Sequence, residues 1–390
     1  MSENNPLKVA IVGGGIAGLA LAVGMAKKPH VDVHVYESVP AYKDVGAGLA
    51  LHLNAINAMG LIGPELKQAY FDKALSMGEE DQEMATEVIL AQGEHKGQLV
   101  AELGRAKGRK TVSRSDLLDG FLTLIPKERI SFGKRLVSID QPSRGRDGID
   151  LTFQDGTKVK ADCLLAADGV HSTTRSFLLG PRGHVNCIPL NKNTRLSAGV
   201  AVRGAAAAAF FSEDDGKAPP LDPALYADYS EDAQRIVRLV ARDTSASWTA
   251  ADHDHAPFYV RDRVAVFGDA AHAALPFAGN GAAQALEDAA VLDSLFDHVA
   301  KPEDVERALV AYDRVRRPRS QKMVELARQF GRIYAYADEG RFYENPEMMR
   351  RFFQSMAEWT NAFDVARQNE SAVGIMTRGC DCEYEDEDSV

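Results

Sequence analysis

The run Lys8-Val9-Ala10-Ile11-Val12-Gly13-Gly14-Gly15-Ile16-Ala17-Gly18-Leu19-Ala20 leaves this chain few folds to choose from. Its first part is apolar and β-branched at Val9, Ile11 and Val12, as in a buried strand. After three glycines the apolar residues Ile16, Leu19, Ala20 and Val23 recur at helical spacing. The pattern predicts strand, turn and helix. Gly13, Gly15 and Gly18 fit G-x-G-x-x-G: the first makes the tight turn, the second lets backbone approach a pyrophosphate, and the third packs helix against strand. The helix N-terminus then presents unpaired N–H groups and partial positive charge to phosphates. A second strand, Val31–Tyr36, ends on Glu37, nineteen residues past Gly18. An acid there accepts hydrogen bonds from ribose hydroxyls and disfavours a 2′-phosphate, so the dinucleotide bound at this site is expected to be FAD or NAD rather than NADP.

The 390 residues have room for two domains and an ample core. Charged residues make up 26% and hydrophobic residues 45%, values of a folded protein, and the net charge of −11 argues against nucleic acid or an anionic membrane as partner. The one basic cluster, Arg314, Arg316, Arg317 and Arg319, reads as a solvated helix end. Four cysteines are too few and too scattered for a disulfide framework, which fits a reducing compartment. The polar start Met1-Ser2-Glu3-Asn4-Asn5-Pro6 lacks the basic and apolar regions of a signal peptide, and a cytoplasmic location is expected. The uncharged run from Val9 to Ala26 is eighteen residues long, yet five glycines interrupt it; it reads as buried sheet and helix, not as a membrane span.

Further along, Val45-Gly46-Ala47-Gly48-Leu49-Ala50 precedes a helical pattern through Asn54, Ala55, Ala58, Met59 and Leu61, and residues 64–105 read as polar and irregular apart from a strand near 87–90. Ser113-Arg114-Ser115-Asp116 looks like a helix start capped by Ser113 or Ser115. Arg114 is unfavourable for the dipole at that end, which favours a ligand-facing role. Residues 130–160 have hairpin character, with Asp155-Gly156 as a turn. The buried strand 161–167 then runs into Asp168-Gly169, placing the Asp168 carboxylate at the carboxyl edge of the sheet, where α/β proteins bind ligands. A third strand, 263–267, ends in Gly268-Asp269 and is followed by a proline turn and a small-residue helix starting near Gly279-Asn280-Gly281-Ala282. His253 and His255 lack a third ligand, so no metal site is expected, and His272 reads as a satisfied structural histidine.

Three ordered blocks over nearly 300 residues (Gly13 to Glu37, Asp168 to Arg175 and Gly268 to Ala289) resemble the group A flavin-dependent aromatic hydroxylases, close to the salicylate-hydroxylase-like branch; Arg316-Arg317-Pro318-Arg319 after Tyr312-Asp313 matches the following helix of that family. The resemblance implies an α/β fold: a Rossmann-like FAD-binding domain with an inserted, reduced mixed α/β substrate domain and a helical C-terminal part. The divisions are residues 1–180 and 261–330 for FAD, 181–260 for substrate, 331–378 for C-terminal helices, and a disordered acidic tail at 379–390. It also implies roles. Gly13, Gly15 and Gly18 hold the pyrophosphate of non-covalent FAD, and Glu37 the adenosine ribose. Backbone at Gly48 to Ala50 and Arg114 flank the cofactor, and Asp168 serves FAD and NAD(P)H together. Asp269 meets the ribityl-phosphate portion, with the Gly281 and Ala282 backbone near the pyrimidine ring. Arg203, at a strand end before Gly204, matches a family arginine that faces the substrate, and a guanidinium suits a carboxylate or phenolate.

The activity implied is monooxygenation of a phenolic or other aromatic small molecule with NADH or NADPH and O2, with monomer and homodimer both open. The sequence departs from the family after Arg203-Gly204, where no alternating strand can be read between 205 and 225 and part of the substrate sheet is missing. That shortening predicts poorly coupled hydroxylation. It leaves two alternatives: an uncoupled NAD(P)H oxidase or dehydrogenase, and a non-catalytic FAD-binding remnant.

Overall fold

In a computed structural model, residues 5–42, 48–76, 83–107, 110–140, 148–168, 177–179, 183–190, 195–202, 221–243, 252–337 and 345–378 are described. The first strand β1 (Leu7–Val12) pairs in parallel with β2 (Val31–Tyr36), register Leu7↔Val31 to Val12↔Tyr36, and on its other side with β12 (Cys163–Ala166), Val9↔Cys163. Outward from β12 lie β17 (Val264–Val266) and an antiparallel edge, β16 (Val260–Arg261); β8 (Ile130–Ser131) closes the side of β2. Side chains alternate across this six-stranded sheet. Val9, Ile11, Cys163 and Leu165 meet α1 (Ile16–Met25) and α7 (Gly281–Phe296). Ala10, Val12, Tyr36 and Leu164 meet a separate antiparallel sheet of β9 (Leu136–Asp140), β10 (Ile149–Phe153) and β11 (Lys158–Ala161). Every residue of α1 is buried, which is why its apolar pattern runs all round.

A five-stranded sheet, order β15-β14-β13-β5-β6, combines β5 (Glu83–Leu90) and β6 (Leu99–Lys107) with β13 (Phe177–Leu179), β14 (Gly183–Leu190) and β15 (Arg195–Val202). One face carries α5 (Glu231–Val240), with Val185, Tyr226, Tyr229 and Val237 between them. The other face meets α8 (Val305–Tyr334) and α9 (Pro346–Asn361) through Val88, Leu90, Phe330, Tyr334 and Phe353. A small sheet of β3 (Gly48–Leu49), β7 (Lys110–Ser113) and β4 (Leu75–Ser76) lies beside it. The helices α2 (Leu53–Ile62), α4 (Arg114–Leu122), α6 (Asp269–His272) and α10 (Val365–Arg378) complete the chain.

Residues 64–105 are not irregular. They hold α3 (Pro64–Lys73) and most of the β5–β6 hairpin. The helix buries only the narrow stripe Leu66, Ala69 and Tyr70, so its composition reads as polar. Register shifts in β5 interrupt the period-two alternation that marks a strand. Among the described residues no helix is long and apolar enough to cross a membrane.

Candidate cofactor and substrate site

The carboxyl ends of β1, β12 and β17 bring the three glycine and aspartate blocks to one edge. At the first, Gly13 has φ +109°, and a Cβ there would fall 2.3 Å from the Ala167 carbonyl oxygen. A Cβ on Gly18 would fall 2.0 Å from the Gly13 oxygen, so helix and turn touch backbone to backbone. Gly15 is the contrast: it caps α1 with no side-chain hydrogen bond, and the nearest atom to a Cβ placed on it is an Arg114 guanidinium nitrogen at 3.8 Å. An open helix N-terminus beside a guanidinium is a place for an anion.

Arg114 gets there because Ser113 caps α4, its Oγ accepting the Asp116 N–H at 3.0 Å, while Ser113 pairs with Gly48 across β3 and β7. A Cβ on Gly48 would lie 3.0 Å from Leu190 of β14; Ala50 is buried just beyond. Glu37 is nearly buried at the end of β2. One oxygen accepts the Gly14 N–H at 2.6 Å and the other the Val39 N–H at 2.8 Å and the Ser38 hydroxyl at 3.1 Å. Two oxygens with about four lone-pair sites still leave acceptor capacity. Asp168 is exposed, its backbone nitrogen 2.9 Å from the Cβ position of Gly13. At the third block Asp269 opens α6, and its carboxylate lies 3.9 Å from the Cβ position of Gly281, the first residue of α7; Ala282 is half-buried beside it. Gly13, Gly15, Gly18, Glu37, Arg114 and Asp168 thus converge, with Asp269, Gly281 and Ala282 gathered at the neighbouring strand end. Arg203 and the segment 203–220 lie outside the described residues, as do Cys380 and Cys382.

One expectation is overturned. Arg316 and Arg319 are not part of a solvated helix end; both are buried, Arg316 completely. Arg316 donates from Nε to Asp288 at 2.6 Å, from Nη1 to Glu287 at 2.6 Å, and from Nη2 to the Gln284 side chain at 2.8 Å. Arg319 donates to both oxygens of Glu287, at 2.6 and 2.8 Å. Asp288 also accepts the Gly268 N–H at 2.7 Å and bonds His272 Nε2 at 2.6 Å, which bears out the structural reading of His272. The partners are 28 to 32 residues apart, and only the packing of α7 against α8 brings them together. Burial alone would raise the Asp288 carboxyl, but the charges of His272 and Arg316 outweigh it and hold it down at about 2. A depressed carboxyl contributes stability above its unfolded value near pH 4 and loses it as pH falls toward 2. Between pH 4 and 2 the thermal melts of wild type should therefore drop more steeply than those of Asp288→Asn.

A model of an FAD binding domain matches residues 182–327, and one of an NAD(P)-binding Rossmann-like domain matches residues 11–41. The chain is 32% identical to the 6-methylsalicylate 1-monooxygenase of Aspergillus terreus, covering 96% of this chain and 93% of that one. It belongs to the FAD-dependent aromatic hydroxylases. A salicylate hydroxylase of Pseudomonas putida is 30% identical over 87% of this chain and 88% of its own. A solved salicylate hydroxylase substrate complex superposes with a TM-score of 0.78 at 26% identity, over 95% of this chain and 99% of that one. The fungal alignment runs over 421 positions against 390 residues here, so stretches of the relative have no counterpart in this hydroxylase. As a member of the family it is a monooxygenase with FAD as cofactor and NADH or NADPH as co-substrate. The residues present fit that cofactor: an open Gly15 beside Arg114, acceptor capacity at Glu37, and a second helix N-terminus at Gly281.

Proposed function

We propose that this hydroxylase acts on a hydroxybenzoate of the salicylate class. Two electrons come from NADH or NADPH; one atom of O2 enters the ring and the other leaves as water. The observation that carries the reading is the open Gly15 cradle beside Arg114, in a chain whose full-length relatives are named for 6-methylsalicylate and salicylate. Bound FAD supplies the electron transfer to O2; the side chains bind, orient and exclude water.

In this reading Gly13, Gly15, Gly18 and the α1 N-terminus hold the pyrophosphate, with Arg114 adding charge. Glu37 holds the adenosine ribose, Gly48 and Ala50 flank the ring system, and Asp168 meets both FAD and nicotinamide. Asp269 takes the ribityl-phosphate portion, while the Gly281 and Ala282 N–H groups face the pyrimidine ring, where a helix N-terminus favours the negative charge of the reduced form. Arg203 orients the anionic substrate. Residues 1–180 and 261–330 form the cofactor domain and 181–260 the core of the substrate domain, to which β5, β6 and β13 lend three strands. The location is cytoplasmic and the assembly a homodimer, which size-exclusion chromatography tests.

The deciding experiment measures NAD(P)H consumption, hydroxylated product and peroxide with and without salicylate, benzoate and phenol. Ligand-stimulated consumption with product supports the reading. Consumption that yields only peroxide means the shortened segment no longer shields the site, and no consumption at all removes the enzyme reading. Glu37→Ala should weaken FAD retention by about 1–3 kcal/mol, since it deletes charged acceptors; equilibrium dialysis of FAD reads this directly. Arg203→Ala should abolish ligand-stimulated consumption and leave FAD content unchanged.

A further inference from the structure

The structure assigns a substrate-contacting role to Asn186. We infer that its side-chain amide hydrogen-bonds the polar substituent of the aromatic substrate, an inference that rests on the aromatic-hydroxylase reading above.

Asn186 lies midway along β14, on one face with His184, Ile188 and Leu190 by the alternation of a strand. At one end of that face His184 packs edge-on against Phe277, ring centroids 5.0 Å apart, and against Tyr334 at 5.5 Å. Phe277 belongs to the proline turn between Asp269 and α7. At the other end Leu190 and Ile188 lie 3.0 and 3.5 Å from the Cβ position of Gly48. The face therefore runs from the proline turn, which lies between Asp269 and Gly281, to the Gly48 strand, over a strand length of about 20 Å from His184 to Leu190. The opposite face of β14 is filled: Val185 is buried against Tyr226, Tyr229 and Val237.

Asn186 is only 4% exposed, yet its amide makes no hydrogen bond among the described residues. The strand beside it is built to hold it there. Gly199 stands directly opposite in the β14–β15 register, and a Cβ on Gly199 would fall 3.1 Å from both amide atoms of Asn186. The other residues opposite this face are small as well, Ala201 across from His184 and Ser197 across from Ile188. Burial pushes the His184 imidazole down to about 3, so it stays neutral at working pH and does not supply the cation for an anionic ring. An amide donates to a phenolate or carboxylate and accepts from a protonated phenol, which suits a substrate whose hydroxyl changes protonation during the reaction.

The test titrates salicylate, benzoate and phenol into FAD-loaded wild type, Asn186→Leu and Asn186→Ser, reading the dissociation constant from the flavin difference spectrum. Leu keeps the volume without the amide; Ser guards against a packing failure. FAD-to-protein ratio and melting temperature are recorded alongside. The expected result is that salicylate and one single-substituent ligand weaken on the order of 10- to 100-fold in both variants while the other keeps its wild-type value. The ligand affected names the substituent. Equal loss for all three, or loss for none, overturns the inference. A wild type whose spectrum and NADH consumption respond to no aromatic ligand removes the functional reading and this inference together, whereas a responsive wild type with indifferent variants removes only the inference.

Discussion

Replacing Arg316 with methionine is expected to destabilise the protein by about 3–5 kcal/mol, the usual cost of breaking a buried ion pair from one side. The change leaves the Glu287 and Asp288 carboxylates, both fully buried, without the guanidinium that offsets their desolvation. Glu287 keeps Arg319, and Asp288 keeps His272 and the Gly268 N–H, so the loss falls on a network and not on a single bond. Because Asp288 tethers Gly268 and His272 on either side of Asp269, FAD retention should fall with stability. Urea denaturation of apo and FAD-loaded protein measures both. Neutralising Asp288 in the same chain (Arg316→Met with Asp288→Asn) should restore part of the loss, since much of it comes from buried charge left without a partner and Glu287 keeps Arg319. A single-variant loss below about 1 kcal/mol, the range of exposed pairs, would mean that water reaches the network.

Gly15 and Gly18 should separate cofactor binding from folding. A Cβ on Gly18 would sit 2.0 Å from the Gly13 oxygen, a backbone atom that cannot step aside, so Gly18→Val should displace α1 from β1 and lower both apo-protein melting temperature and FAD affinity. Gly15 meets nothing closer than a flexible arginine tip at 3.8 Å, so Gly15→Val should leave the apo-protein folded. Its side chain then occupies the space that the pyrophosphate needs, and FAD affinity should fall roughly 100-fold, the loss of about two charge-assisted hydrogen bonds. Calorimetry of the apo-proteins and fluorescence titration with FAD give the two readings. A Gly15→Val protein that binds FAD normally would place the phosphates elsewhere.

The sequence by itself determined the parts whose signals are local. Val9, Ile11 and Val12, the glycines, and Glu37 each act on neighbours within one βαβ unit, so spacing alone marks strand, turn, helix and acceptor. The Ser113 cap and the Asp155-Gly156 turn are local in the same sense and form as read. The tertiary structure decided what depends on distant partners. Arg316 and Arg319 look like ordinary solvated cations until α7 brings Glu287 and Asp288 to them from about thirty residues away. α3 carries too few apolar residues for its burial to show, and the bulges in β5 erase the alternation that would have marked it. Asn186 carries no local signal at all: its meaning comes from Gly199 across the strand pair and from Phe277 and Gly48 at either end of its face. Hydrophobic periodicity records whether a side chain faces water or core, and a polar side chain facing a partner from elsewhere in the chain leaves no trace in it.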